Sequence, residues 1–244
     1  MASDRAAAVA SSDCVDILLA SLGVHAFPER PKIRVLDLYS GTGSVSKVCQ
    51  RYPLLIDSVS LDYSTKYSTP TYVKDVMKFD YKAIAPFDII FASPDCSQFS
   101  CARTTGGPRD LKKAIRIIHK TLEIIAWFAL KNDKLVWFIE NPATGLLVRD
   151  IGRYKVPTCM KNLRSKMIQM DYCMFSGFGY QKQTAFFTNL RGCKSKMCYN
   201  CRDCGNKNGK VHKRSVTTVP HDQKISIPGF LIHTLLFMAI RQVV

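Results

Sequence analysis

Long hydrophobic runs are missing from this sequence. The longest, IPGFLIHTLLFMAI at 227–240, is interrupted by His233 and falls short of the roughly 20 residues a membrane span requires, so no transmembrane helix and no membrane partner are expected. No secretory or transit leader is expected either. MASDRAAAVASSDCVDILLASLGVHAF has no basic segment ahead of its apolar part, and Asp4, Asp13 and Asp16 oppose such a leader. These residues read instead as an extension (1–31) with a short amphipathic helix near Val15 to Leu22. Acidic residues are scarce, with 19 Asp and Glu against 35 Lys and Arg, a formal charge of +16 that draws polyanions. Nucleic acid is the leading partner on that ground, with a merely basic soluble surface as the alternative. Neither an internal repeat nor a low-complexity tract is visible. Without a secretory leader the ten cysteines read as reduced thiols, metal ligands or catalytic groups rather than a disulfide framework. An intracellular protein, nuclear or cytoplasmic and not secreted, is expected.

What is present, from Lys32 onward, is an alternation of apolar strands and amphipathic helices. IRVLDLY (33–39), IDSVSLDYS, TYVKDVM, FDIIFAS (87–93) and KLVWFIENP (134–142) read as strands, FDIIFAS apolar enough to be buried on both faces. Between Asp110 and Lys131, Leu111, Ile115, Ile118, Leu122, Ile125 and Ala129 form one helical stripe, with Lys112, Lys113, Arg116 and Lys120 mainly off it. Such alternation predicts an α/β fold with a mostly parallel sheet covered by helices on both faces, because parallel neighbours need a crossover. Ligands then sit beyond the carboxyl ends of the strands. The polar residues at those ends, Asp37 to Ser44, Asp62, Asp75, Cys96, Glu140 and Asn141, are expected to converge on one crevice. Residues 32–189 make the core, 190–226 an irregular basic insertion, and 227–244 a helix with Pro228 in its first turn.

DLYSGTGS (37–44) puts two glycines in a turn between strand and helix. It is neither the GxGxxG of dinucleotide sites nor a P-loop; a tight βα turn and a ligand loop both fit. Asp62 stands where a carboxylate accepts hydrogen bonds from ribose hydroxyls, and the pair suggests an adenosine-containing ligand without a pyrophosphate, which S-adenosyl-L-methionine satisfies. Asp75 is either a partner for the adenine amine or a surface acid. In isolation Cys96 reads as packing or as a nucleophile.

DLYSGTGS, ASPDCSQFS (92–100) and FIENP (138–142), in this order at strand ends, resemble the cofactor loop, nucleophile loop and base-binding motif of cytosine carbon-5 DNA methyltransferases, in particular the compact phage and large-DNA-virus type. YCMFSGFGYQKQTAFFTN (172–189) and IPGFLIHTLL are similar to that family's downstream segment and closing helix. The resemblance runs from about Ile33 to the C-terminus and implies a Rossmann-like S-adenosylmethionine-dependent methyltransferase fold. It implies Cys96 as nucleophile and Glu140 as the group that holds the base, with Asp37, Tyr39, Ser40, Gly41, Thr42, Gly43, Ser44, Asp62, Asp75 and Pro94 around the cofactor. Asn141 and Pro142 shape the base-binding loop; Arg103 and Lys182 are candidates for substrate contact. DNA is the implied partner and RNA the alternative, with a fold that binds nucleic acid without turnover as a third reading. One departure stands out: the family has Pro-Pro-Cys where this chain has Pro94-Asp95-Cys96, and the aspartate removes a stiffening ring and adds a charge beside a thiol that must ionise.

Cys193, Cys198, Cys201 and Cys204, with His212 eight positions beyond, have the short spacings of a structural zinc site. Unliganded thiols are the alternative. A deaminase-type catalytic zinc is excluded, since no His-x-Glu accompanies the cluster. Cys49, Cys159 and Cys173 read as ordinary core or surface residues. Lys194, Lys196, Arg202, Lys207, Lys210, Lys213 and Arg214 make the insertion the densest basic patch, suited to phosphate contact as a target-recognition element.

Overall fold

The structure is a computed structural model that describes residues 31–101, 103, 107–149, 167–199, 204–208 and 211–244. The extension and its expected helix lie outside the described residues, as do Cys159, Cys201, Arg202 and Lys210.

Five strands pair in parallel: β1 (Ile33–Leu38), β2 (Ile56–Asp62), β3 (Tyr72–Val73), β4 (Ile89–Ala92) and β5 (Val136–Pro142). β6 (Met167–Asp171) runs in the same direction, and β7 (Gln183–Thr188), inserted between β5 and β6, is antiparallel to both, giving the order β3-β2-β1-β4-β5-β7-β6. This is the Rossmann-like methyltransferase arrangement that the resemblance implies.

Alternation along the strands sends side chains to two cores. Val35, Ile89, Phe91, Val136 and Phe138 face α1 (Ser44–Cys49) and the closing helix, whose Leu231, Leu235, Leu236 and Ile240 are buried. Leu36, Leu38, Ile90 and Ile139 face α2 (Leu111–Lys131), whose Ile118, Leu122 and Ile125 are buried as the stripe predicts, whereas Leu111 and Ile115 are half-buried, Ala129 is exposed and Ile124 and Phe128 are buried instead. Asp110 caps α2 by accepting the Lys113 N–H at 2.9 Å, which satisfies an orphan donor of the first turn, and a short α3 (Leu146–Arg149) follows β5.

Two expectations are corrected. TYVKDVM keeps only two strand residues, because the Asp75 carboxylate accepts the Met77 N–H at 2.9 Å and turns Val76–Lys78 into a 3₁₀ helix. The insertion holds more order than its composition suggests. Lys196 bridges to Met170 at the edge of β6, β8 (Lys207–Asn208) and β9 (Val211–His212) form a hairpin, and α4 (His221–Ile225) precedes α5 (Gly229–Val243). His221–Val243 has by length and composition alone enough apolar residues to cross a membrane, and half of that apolar stretch is buried inside the molecule. Its α5 helix is the one buried over the sheet.

β1, β4 and β5 are neighbours in register, with Leu38 opposite Ala92 and Ala92 opposite Ile139. The segments that follow each of these positions therefore leave the sheet side by side.

Candidate active site

The first of these segments is the glycine turn. Tyr39, Gly41 and Gly43 all have positive φ (61°, 49° and 69°), so the backbone folds tightly, with the Gly43 N–H on the Ser40 carbonyl at 2.7 Å. A side chain at Tyr39 is costly in that conformation; its phenol is held by a 2.8 Å hydrogen bond with the Thr121 hydroxyl of α2. Asp62 at the end of β2 accepts the Gly41 N–H at 2.8 Å through Oδ2 and the Ser64 N–H at 2.9 Å through Oδ1. It braces the turn, and each oxygen retains a lone pair for a further donor. The Ser40 hydroxyl is buried with no partner.

Two of the expected cofactor residues do something else with their side chains. The Thr42 and Ser44 hydroxyls bond each other at 2.8 Å; Thr42 also accepts from Ser226 Oγ at 3.2 Å, and Ser44 from the Ile227 N–H at 3.2 Å. They fasten the turn to the segment entering α5. Asp75 caps its 3₁₀ helix at the surface, close enough to Tyr39 to raise the phenol's pKa, although burial is the larger cause. Pro94 is buried at the end of β4.

Asp37 lies beneath the turn, 2% exposed. Burial pushes its carboxyl up to about 7; a 3.4 Å hydrogen bond from Ser46 Oγ works the other way, and the nearby Asp62 adds to the rise. A carboxyl held protonated in the fold but ionised near 3.8 in the unfolded chain contributes stability that is complete below pH 3.8 and is lost as pH rises through 7. Asp37→Asn removes that loss. The variant is expected to exceed the parent at pH 8 by on the order of 3 kcal/mol, with the gap closing as pH falls toward 4, as read from urea midpoints.

The second segment carries Cys96. Its carbonyl accepts the Phe99 and Ser100 N–H groups at 2.9 and 2.8 Å, so the thiol stands at the head of a tight turn. Asp95, in the place of the family's proline, accepts the Ser97 N–H through Oδ1 and the Ser97 hydroxyl through Oδ2, both at 2.8 Å. This Asx turn supplies by hydrogen bonding the stiffness that a ring would give. Arg109 donates to the carbonyls of Gln98 (2.7 Å) and Ser100 (2.9 Å), and Leu146 N–H to that of Phe99 (2.8 Å). Arg103, expected to meet substrate, instead donates to Gln98 Oε1 at 2.6 Å and to the Gly107 carbonyl at 2.8 Å inside the same loop.

The third segment brings Glu140, 8% exposed, whose Oε1 accepts from Tyr172 Oη at 3.1 Å and from Lys182 Nζ at 3.5 Å. The Lys182 ammonium lies 4.7 Å from the centroid of the Tyr172 ring. Cys96, Glu140 and Lys182 act on one another. Burial pushes the Cys96 thiol up to about 11, Glu140 and, less strongly, Asp95 add to this, and Lys182 opposes it. Asn141 is fully buried with neither amide atom partnered, and Pro142 ends β5 opposite Thr184 of β7. Tyr172 and Arg109 were not anticipated. Tyr172 enters the site only because β7 separates β6 from β5, and Arg109 only because its loop folds back.

The cysteine cluster also differs from expectation. Cys173, Cys198, Cys204 and His212 have ligand atoms all within 4.8 Å of one another. Cys193 is elsewhere, half-buried against the α5 core, and Cys201 lies outside the described residues.

No protein-family model matches the chain. A probable DNA (cytosine-5)-methyltransferase of Frog virus 3 (isolate Goorha) is 31% identical over 192 residues, covering 71% of this chain and 78% of that protein. Among solved structures, the Entamoeba histolytica methyltransferase EhMeth aligns with a TM-score of 0.43 at 14% identity, over 69% of this chain and 56% of that one. A triple mutant of DNMT2 from Spodoptera frugiperda aligns with a TM-score of 0.40 at 16% identity, over 68% of this chain and 53% of that one. The chain spans less than two thirds of the length of either solved structure.

Proposed function

This chain belongs to the DNA (cytosine-5)-methyltransferase family, and we propose that it methylates carbon 5 of cytosine in DNA, with Cys96 as covalent nucleophile and Glu140 as the group that grips the base. The observation that carries this reading is the meeting of Cys96, Glu140 and Lys182 at the adjacent ends of β4 and β5, beside the glycine turn.

S-adenosyl-L-methionine, when bound, supplies an electrophilic methyl group. The residues present fit it: a tight turn at Tyr39 to Gly43 with two glycines that bring no side chain near, an unpartnered buried Ser40 hydroxyl, and the Asp62 carboxylate one strand away with acceptor capacity to spare. Those residues would hold it, with Asp75 and Pro94 at the margin.

Cys96 attacks carbon 6 of the cytosine as a thiolate, forming a carbon–sulfur bond and moving the ring's 5,6 electron pair onto carbon 5. Glu140 holds ring nitrogen 3 and the exocyclic amine, where charge builds as sulfur adds. After carbon 5 is methylated, a base takes its proton and the pair returns to the ring as Cys96 leaves. Carbon 6 cannot be reached inside a stacked duplex, so the base is flipped out at a cost of roughly a few kcal/mol, offset by pocket and phosphate contacts of the basic surface.

The same electrostatics gate the nucleophile. With no base bound, the Glu140 charge helps to keep the thiol protonated. Engaging Glu140 with the cytosine disperses that charge and leaves Lys182 to favour the thiolate, so reactivity rises when substrate is in place.

Transfer of labelled methyl from S-adenosylmethionine to duplex DNA and to transfer RNA, followed by nucleoside analysis, tests the substrate. Label in 5-methylcytosine of the DNA is expected; label confined to the RNA would contradict the proposal.

A further inference from the structure

Asp171, Tyr172 and Cys173 follow one another at the end of β6, and each ties a different part of the molecule to that point. Tyr172 reaches Glu140. The Asp171 carboxylate, fully buried, accepts the Cys198 N–H at 2.6 Å and the Gln181 side-chain amide at 2.9 Å, which fixes the backbone of Cys198 against β6. From the other side, the Asn206 amide donates to the carbonyls of Cys173 (3.0 Å) and Ser176 (2.9 Å), which brings up Cys204 and, through the hairpin pairing of Lys207 with His212, the imidazole.

The result is three sulfurs and one ring nitrogen converging from four separate stretches of chain. Cys198 Sγ and Cys204 Sγ lie 3.7 and 3.5 Å from His212 Nε2. Two ligands on a tetrahedral zinc, at the usual zinc–sulfur and zinc–nitrogen bond lengths, stand about 3.6 Å apart. Both sulfurs thus already stand at ligand separation from the imidazole, and the Cys173 sulfur lies within 4.8 Å of all three atoms. Among the described residues, no disulfide joins Cys173, Cys198 or Cys204. The turn at Cys204 has a further mark of a metal-bound thiolate: Gly205 takes φ 66°, and this lets the Asn206 N–H point back at Cys204 Sγ at 3.4 Å. A backbone donor aimed at the sulfur fixes its direction, as the contacts around a metal-ligating thiolate do.

We propose that Cys173, Cys198, Cys204 and His212 bind one zinc ion as a closed structural centre. Three thiolates and an imidazole are a donor set that selects zinc, and four protein ligands leave no position for a catalytic water. The ion fastens the basic hairpin and the Lys194–Cys198 segment to the end of β6, directly behind the tyrosine that bonds Glu140. Cys173, at the strand end and 25 positions before Cys198, is the member that the motif spacing does not disclose.

The test is the metal content of the full chain purified without added metal. About one zinc per chain is expected, with Cys173→Ser and His212→Ala each reducing it about tenfold or more and Cys193→Ser leaving it unchanged. Less than a tenth of an equivalent in the parent overturns the proposal, and so does metal retained in Cys173→Ser but lost in Cys193→Ser or Cys201→Ser. Because a ligand variant can fail to fold, the parent protein is also loaded with Co²⁺ in place of zinc. Intense ligand-field bands of tetrahedral cobalt with thiolate charge transfer support the centre; the weak spectrum of an octahedral ion, or a disulfide among these cysteines, overturns it.

Discussion

Replacing Cys96 by serine will lower methyl transfer by roughly 10⁴-fold or more, with binding of S-adenosylhomocysteine and thermal unfolding unchanged. Serine fits because the local fold uses only the backbone of residue 96: its carbonyl, not its sulfur, accepts the Phe99 and Ser100 N–H groups. The loop is held by Asp95 on Ser97 and by Arg109 on the Gln98 and Ser100 carbonyls, and the substitution touches neither. A hydroxyl, however, ionises far less readily than a thiol already pushed up to about 11, and it adds poorly to an aromatic carbon. Transfer assays on cytosine-containing duplex, beside cofactor titration, separate loss of the nucleophile from loss of the fold.

Glu140→Gln is expected to move two quantities in opposite directions. Methyl transfer falls by about 10²–10⁴-fold, because the amide is a poorer match for ring nitrogen 3 and the exocyclic amine as charge builds. At the same time the Cys96 thiol becomes easier to ionise, since the charge that stood against its thiolate is gone. In the parent protein, alkylation of Cys96 should climb with pH until close to 11; in Glu140→Gln the profile shifts to lower pH, and in Lys182→Met to higher pH. Mass-spectrometric quantification of the modified peptide resolves Cys96 from the other cysteines. A structural role for Glu140 alone would reduce transfer without that acid shift.

The residues that could be read from sequence are those whose signal is local. The stripe on α2 follows from a period of 3.6, the strands from continuous apolar runs, and the three motifs from their own turns. What could not be read depends on which strands become neighbours. Tyr172 reaches Glu140 because β7 inserts between β5 and β6, and nothing in YCMFSGFGY states that order. Cys193 has motif spacing yet packs against the α5 core, while Cys173 lies well before the cluster and joins it, because ligation is decided by where chain segments cross. Asp95 shows the converse. Sequence marks it as the loss of a proline, and only the hydrogen bonds to Ser97 show how the turn keeps its shape.

The most direct test of covalent cytosine methylation is to incubate the protein and S-adenosylmethionine with duplex containing 5-fluorocytosine. Fluorine on carbon 5 cannot be removed as a proton is, so the adduct cannot eliminate its sulfur. The account predicts a stable protein–DNA complex whose cross-linked peptide maps to Cys96 and which Cys96→Ser abolishes; methylation of ordinary duplex with no adduct on the fluorinated one, or an adduct through another cysteine, would contradict it.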